Sequence, residues 1–220
     1  MRVNCKVGFC LEVRGSLACF TRPEFKVDRV SYDVITPSAA RAVLDAIMRH
    51  PAIHWRPTYI EVMNHILCTS FFCNAVGHVG SLNGPGFAVE DHHQPRHNLV
   101  LKDVRYRIHA VFDLTEKAAE EGMPDEVSAK YASMFERRAR QGQCYHNPYF
   151  GLKEFPCDFR LVDREEKVGD RPINVTKDLG IMFYDWDYEA SGGPAQTWFR
   201  ARLVDGRMDI PHPDGKEVLR

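Results

Sequence analysis

From Arg2 to Arg14 apolar and polar positions exchange almost one by one. Val3, Cys5, Val7, Phe9, Leu11 and Val13 share one face, and Arg2, Asn4, Lys6, Gly8, Cys10, Glu12 and Arg14 the other. A period of two predicts a strand with one face covered. Residues 15–35 carry no period and read as irregular. At Thr36-Pro37-Ser38 a hydroxyl cap is followed by proline at the first helical position, where its missing N–H is no loss. Ala40, Val43, Leu44, Ile47 and Met48 then recur at helical spacing, and Pro51 stops that helix near His50.

A second strand is expected over 59–67 and a longer third over 99–114. In the third, Val104, Tyr106, Ile108, Ala110 and Phe112 alternate with Arg105, Arg107, His109, Val111 and Asp113. The stretch 68–98 between them is rich in Gly, His, Asn and Pro and reads as a long loop, a kind that is seldom a plain connector. A second helix is expected over 126–141, ended by Gly142. Val127, Tyr131, Met134, Phe135 and Arg138 fall on one stripe of it, and Lys130, Arg137 and Arg140 toward another. A glycine-flanked aromatic loop, 142–151, leads to a strand near 157–163. Strands follow over 179–188 and 197–204, then a two-residue Asp205-Gly206 hairpin turn before 207–210.

The pattern is therefore α+β: β-α-β, a long insertion, β-α-β, then C-terminal antiparallel strands. That order is ferredoxin-like, or RRM-like, and many RNA-binding proteins use its open sheet face. Two units are expected, 1–163 and a C-terminal β-sheet extension, 164–220. A fold of this kind does not by itself assign an activity.

Composition narrows the class. The chain has 220 residues, 44% of them hydrophobic and 27% charged, so it is globular and large enough to bury a core without staples. Lys plus Arg number 29 against 30 Asp plus Glu, which by itself names no polyanionic partner. The distribution says slightly more. Residues 1–112 carry a balance of +4, 113–140 of −2 and 141–220 of −3, a weak basic bias toward the N-terminal half. No apolar run approaches a membrane span, and the N-terminus lacks the apolar segment of a signal peptide. Seven cysteines, at 5, 10, 19, 68, 73, 144 and 157, are odd in number and irregular in spacing. Free thiols in a reducing cytoplasm are expected. His78, His92, His93 and His97 with Cys68 and Cys73 match no zinc template, and no metal or cofactor is expected.

Three segments carry a resemblance. They are Gly15 through Arg41 (GSLACFTRPEFKVDRVSYDVITPSAAR), Met134 through Cys144 continuing to Gly151-Leu152-Lys153-Glu154-Phe155, and Leu179-Gly180-Ile181-Met182. Together they resemble the CRISPR-associated fifth Cas family, subtype I-C, of the RAMP superfamily. The resemblance implies a ferredoxin-like domain with an added C-terminal sheet. It implies an endoribonuclease that cuts the repeat of precursor CRISPR RNA without metal, the ribose 2′-OH attacking the adjacent phosphate. It also implies that the protein stays on the 5′ handle as a subunit of an interference complex.

Such chemistry needs a base for the 2′-OH, an acid for the leaving 5′ oxygen and a cation for the phosphorane. The family uses a Tyr or His near the end of the first helix and a Lys-His pair opening the second. The matching positions here are Met48, which moves no proton, and Lys130-Tyr131. Lys130 is expected to steady the phosphate and Tyr131 to act as acid or base. His50 is the fallback, although a histidine at a helix end also suits the dipole there, and Tyr131 on the apolar stripe also reads as a core tyrosine. A family Arg-Arg-Asn-Glu motif reads Phe72-Cys73-Asn74-Ala75.

RNA contacts are expected from Arg22, Lys26 and Arg29 in the best-matching segment. Further contacts are expected from Arg49, from Arg105 and Arg107 along the long strand, from Arg137 and Arg140 as a basic ridge, and from His146. A basic groove would also permit non-specific contact with DNA. Two readings stay open: an active endonuclease, or a handle-binding subunit of the same complex that has lost cutting.

Overall fold

A computed structural model describes residues 3–4, 8–25, 27–81, 84, 86–163, 170–188 and 190–220. In chain order the elements are β1 (Val3–Asn4), β2 (Phe9–Ala18), α1 (Pro37–Ile47), β3 (Ile53–Val62), β4 (Leu67–Val76), β5 (His93–Leu114), α2 (Pro124–Arg140), β6 (Asp158–Leu161), β7 (Lys177–Asp187), β8 (Ala195–Val204), β9 (Arg207–Asp209) and β10 (Val218–Leu219). The strands form one sheet with the path β10-β8-β9-β3-β5-β2-β6, while β1 and β4 also pair with β5 and β7 with β8. Every pairing is antiparallel. The C-terminal strands are thus joined to the rest through β9 on β3.

One sheet face packs on the helices. Leu11, Val13, Ile60, Ile108 and Phe112 are buried there with Leu44 and Ile47 of α1 and Phe135 of α2. Phe9, Trp55, Phe112 and Phe135 form an aromatic knot, with Phe9 edge-on to Phe135 at 5.0 Å and Trp55 tilted on Phe135 at 4.5 Å. The indole N–H of Trp55 donates to the Met48 carbonyl at 2.8 Å, so the one polar atom in the knot is satisfied. Met48 itself is buried, as its place on the apolar stripe implies.

The opposite face is polar, buried at its centre and open at its two ends. Register places Arg160, Glu12, Arg107, Glu61 and Arg207 side by side across β6, β2, β5, β3 and β9. Charges alternate along that row. Arg107 Nε donates to Glu12 at 3.2 Å and its Nη1 to the Asp170 carbonyl at 2.8 Å. Cys10 and Glu12 are therefore buried too, and β2 is covered on both faces rather than on one.

Three expectations are corrected. The second strand runs over 53–62, not 59–67. Pro57 inside it masks the pattern, and a bulge between Pro57 and Tyr59 absorbs the proline. The stretch 68–98 is not a loop: β4 pairs residue by residue with a β5 that starts at His93, from Leu67 opposite Lys102 to Val76 opposite His93. This two-stranded arm is exposed along most of β4, so it shows no period for burial to imprint. The first strand appears as β1 and β2, with Arg2 and residues 5–7 outside the described residues, and β2 continues through Gly15 to Ala18.

Candidate acid–base site

The last carbonyls of a helix have no partner within it. In α1 they are taken by its neighbours. Arg138 of α2 donates to the Ile47 carbonyl at 3.0 Å, and the Tyr145 amide donates to the Ala46 carbonyl at 2.7 Å. The end of α1, the body of α2 and the loop 142–151 are drawn together at this point. His50 leaves α1 here, and Tyr131 of α2 meets it, the two rings 4.7 Å apart.

Glu121, in the turn before α2, completes the cluster. The Tyr131 hydroxyl lies 2.8 and 2.7 Å from the two carboxylate oxygens of Glu121 and donates its one proton there. Lys130 Nζ is 2.9 Å from the same carboxylate and 5.1 Å from the Tyr131 ring. His50 Nε2 lies 3.3 Å from the Tyr131 oxygen. The Ala52 amide donates to His50 Nδ1 at 3.2 Å. Burial, then the hydrogen bond to Glu121, push the Tyr131 phenol well above its ordinary range. Hydrogen bonds from Lys130 and then Tyr131 hold the Glu121 carboxyl below the usual range.

Exposure divides the group. Tyr131 is only 1% exposed, whereas the side chains of Lys130 and His50 are 56% and 40% exposed. The surface thus presents an ammonium and an imidazole, with a phenol and a carboxylate bracing them from within. The sequence brings His50, Lys130 and Tyr131 forward as candidates, but not Glu121. The only signal for it is an acidic residue just ahead of a Gly-Met-Pro helix start.

The RNA-contact candidates scatter more widely. Arg22 lies over the Tyr32 ring at 4.6 Å. Arg29 is fixed through its backbone, whose amide donates to Asn98 at 3.0 Å. Arg49 is exposed next to His50, and Arg137 is exposed on α2. Arg140 pairs with Asp163 at 3.0 Å. His146 is exposed on the loop 142–151, its ring 6.2 Å from that of Tyr149. Lys26 lies outside the described residues. Arg107 is a correction: at 3% exposed and bonded to Glu12 and Asp170, it stands inside the charge row and tracks no backbone. Arg105 is held by the same two carboxylates at the edge of that row.

The loop 142–151 and the segment from Cys19 onward are clamped together. Gly151 has φ +79°, and a Cβ there would stand 2.0 Å from the Cys19 carbonyl oxygen, so no other residue fits. The Cys19 amide donates back to Phe150 at 3.1 Å. Beside this clamp opens a cavity of about 330 Å³, walled by Phe20, Tyr32, Tyr149 and Phe183 and edged by the hydroxyls of Thr21 and Ser38.

The fold is a sheet-dominated α+β arrangement, an antiparallel sheet with two helices, and a histidine and a lysine are exposed together near the junction of those helices. A family model described as CRISPR-associated protein (Cas_Cas5) matches residues 8–211, and the chain belongs to that family, in its Cas5d form. A protein named CRISPR pre-crRNA endoribonuclease Cas5d from Mannheimia succiniciproducens is 40% identical over 225 residues, spanning 96% of this chain and 97% of that one. One of the same name from Thermus thermophilus is 37% identical, spanning 96% and 94%. Among solved structures, one described as a CRISPR-associated protein covers all of both chains with TM-score 0.73 at 21% identity. A chain of a CRISPR RNA-guided surveillance complex covers 93% of this chain and 91% of its own, with TM-score 0.54 at 12% identity. At those identities the structures speak for the fold. Where the resemblance implies a tyrosine or histidine near the end of the first helix and a Lys-His pair opening the second, this chain has Met48, with His50 two residues beyond it, and Lys130-Tyr131.

Proposed function

We propose that this protein is the endoribonuclease that cuts the repeat of precursor CRISPR RNA and remains on the 5′ handle as a subunit of an interference complex in the cytoplasm. The observation that carries the reading is the meeting of His50 and Lys130 at one surface over buried Tyr131, in a chain 40% identical over nearly its whole length to a protein named as that enzyme. The body 1–163 is ferredoxin-like in this reading, with 164–220 as its extension. The order β6-β2-β5-β3 supports this, being the fourth, first, third and second strands of a β-α-β-β-α-β frame.

The reaction uses side chains alone. His50 takes the proton of the ribose 2′-OH, whose oxygen then attacks the adjacent phosphorus. The bond to the 5′ oxygen breaks, leaving a 2′,3′-cyclic phosphate, and the departing 5′ oxygen takes a proton from water to become a 5′-hydroxyl. Lys130, freed from Glu121 by the incoming phosphate, neutralises the phosphorane. Tyr131, expected from the sequence to move the proton, is buried with its own proton committed to Glu121, so proton transfer passes to His50. Arg22, Arg49, Arg137 and His146 are the exposed or half-exposed groups for the RNA backbone. The aromatic-walled cavity beside Gly151 suits an unstacked base. The same cations would grip DNA without sequence preference, with an affinity that falls as salt rises.

Repeat RNA incubated in EDTA tests this reading. One cut at the base of the hairpin is expected, and none on RNA carrying a 2′-deoxy at the scissile nucleotide. RNA that binds tightly and stays whole would leave only the handle-binding role.

A further inference from the structure

Resting on that reading, we propose that the cavity beside Gly151 holds the base of one unpaired repeat nucleotide against the Tyr149 ring, within about four nucleotides of the cut. Four separate segments converge on this cavity. Thr21 comes from the segment after β2, Ser38, Ala39 and Ala42 from α1, Tyr149 from the loop 142–151, and Phe183 from β7. Its volume, about 330 Å³, is in the range of small-ligand sites. None of the described residues lining it is charged, so a phosphate or a carboxylate would find no counter-ion inside. The rings of Tyr149 and Phe183 stay half-exposed there, while α1 presents only small side chains and leaves the space beside them open. The Thr21 and Ser38 hydroxyls at the edge can both donate and accept. A neutral planar base that has left its stack is the ligand that matches rings, hydroxyls and absent charge together.

The surroundings supply what the interior lacks. Arg22 follows Thr21 directly, and its guanidinium lies 4.6 Å over the ring of Tyr32, another wall of the cavity, where it can meet the phosphate of the captured nucleotide. A row of rings joins the cavity to the cut site. Tyr145, 84% exposed, donates its amide to the Ala46 carbonyl at 2.7 Å, at the end of α1 that leads to His50. Its ring stands 6.2 Å from that of His146, and His146 stands 6.2 Å from Tyr149. From Ser38 to Ala46 along α1 is about 12 Å, at roughly 1.5 Å per residue. Stacked nucleotides cover that in about four steps of roughly 3.4 Å, and unstacked ones in fewer. The site is also preformed. Gly151 and Cys19 clamp the loop to the segment after β2, and Tyr149 bridges to Pro156.

Repeat RNA with a 2′-deoxy at the scissile nucleotide, which stays whole, tests the site by affinity. A single abasic residue is placed in turn at each unpaired nucleotide within about four positions of the cut. Wild type is expected to bind about tenfold more weakly when one of these positions loses its base, the size of one lost base–aromatic stack. Two variants then close the cavity or remove its ring. Ala42→Leu extends an exposed helical position into the space, with a residue that suits a helix. Tyr149→Ala removes the stacking face. Each should bind intact RNA about as weakly as wild type binds the sensitive abasic RNA, and the abasic change should cost either variant less than about twofold. A merely structural effect would weaken all the RNAs alike and leave the tenfold abasic penalty in place. Melting temperatures check the fold, and should one variant fail to fold, the other decides. Abasic RNAs that all bind like intact RNA, or a sensitive position that stays sensitive in the variants, overturn the base site and leave the endonuclease reading standing. Repeat RNA bound by wild type no better than an unrelated RNA removes that reading itself.

Discussion

Lys130 and Glu12 show two uses of charge by single residues. Lys130 is exposed, and its partner Glu121 is replaceable by a phosphate. Lys130→Ala is expected to slow cutting at least about tenfold while weakening RNA binding only modestly, because one phosphate contact among several is lost. Equal rates for variant and wild type on one substrate would contradict this. Glu12 is structural. Burial alone would raise its pKa, but hydrogen bonds from Arg105 and Arg160 outweigh that and hold it below the model-peptide value of 4.5. A lowered folded pKa means stability that is present above about pH 4.5 and is lost as pH falls through the folded value. Glu12→Gln leaves Arg107 buried with its charge half-met, and should cost about 3–5 kcal/mol at neutral pH. Urea unfolding at pH 7 and pH 4 checks both parts: wild type should weaken toward acid, and the variant should start low and change less.

Among the elements, what the chain declares depends on how burial is distributed. Both helices are legible, α1 from Thr36-Pro37 and its apolar stripe, α2 from its own stripe and Gly142. Each buries one face and exposes another. The hairpin at Asp205-Gly206 is legible because two successive residues must take positive φ, 47° and 76°. β3 is displaced in the reading because Pro57 looks like a stop until a bulge is seen to hold it. The arm of β4 and the start of β5 is not legible at all, since an exposed ribbon needs no alternation. Phe71 and Phe72 stand exposed there, where an apolar count would have sought core. Gly151 gives an element-level test. Gly151→Ala forces a Cβ onto the Cys19 carbonyl at a left-handed φ, and should destabilise the protein by more than about 1 kcal/mol by separating the two segments it clamps. An unchanged unfolding midpoint would contradict the clamp.

Across the whole molecule, one sheet separates an apolar interior from a polar face that is buried only at its centre. The helix side is apolar and aromatic; the other side is a row of alternating charges from Arg160 to Arg207. Arg107 looks like an RNA ligand in the sequence because alternation reports the face of a residue and not what covers that face. The site is half legible for a related reason. Lys130 and Tyr131 are reached through the family resemblance, and His50 as the fallback near Met48, but Glu121 becomes visible only when the turn before α2 folds back on it. Among the described residues no helix is long and apolar enough to cross a membrane. The most direct measurement is the chemistry of the cut ends. Repeat RNA should be cleaved in EDTA by the wild-type protein, giving a 2′,3′-cyclic phosphate and a 5′-hydroxyl, and His50→Ala should lose most of that rate while still binding. A 3′-hydroxyl with a 5′-phosphate, or cutting abolished by EDTA, would contradict an attack by the ribose hydroxyl driven by side chains alone.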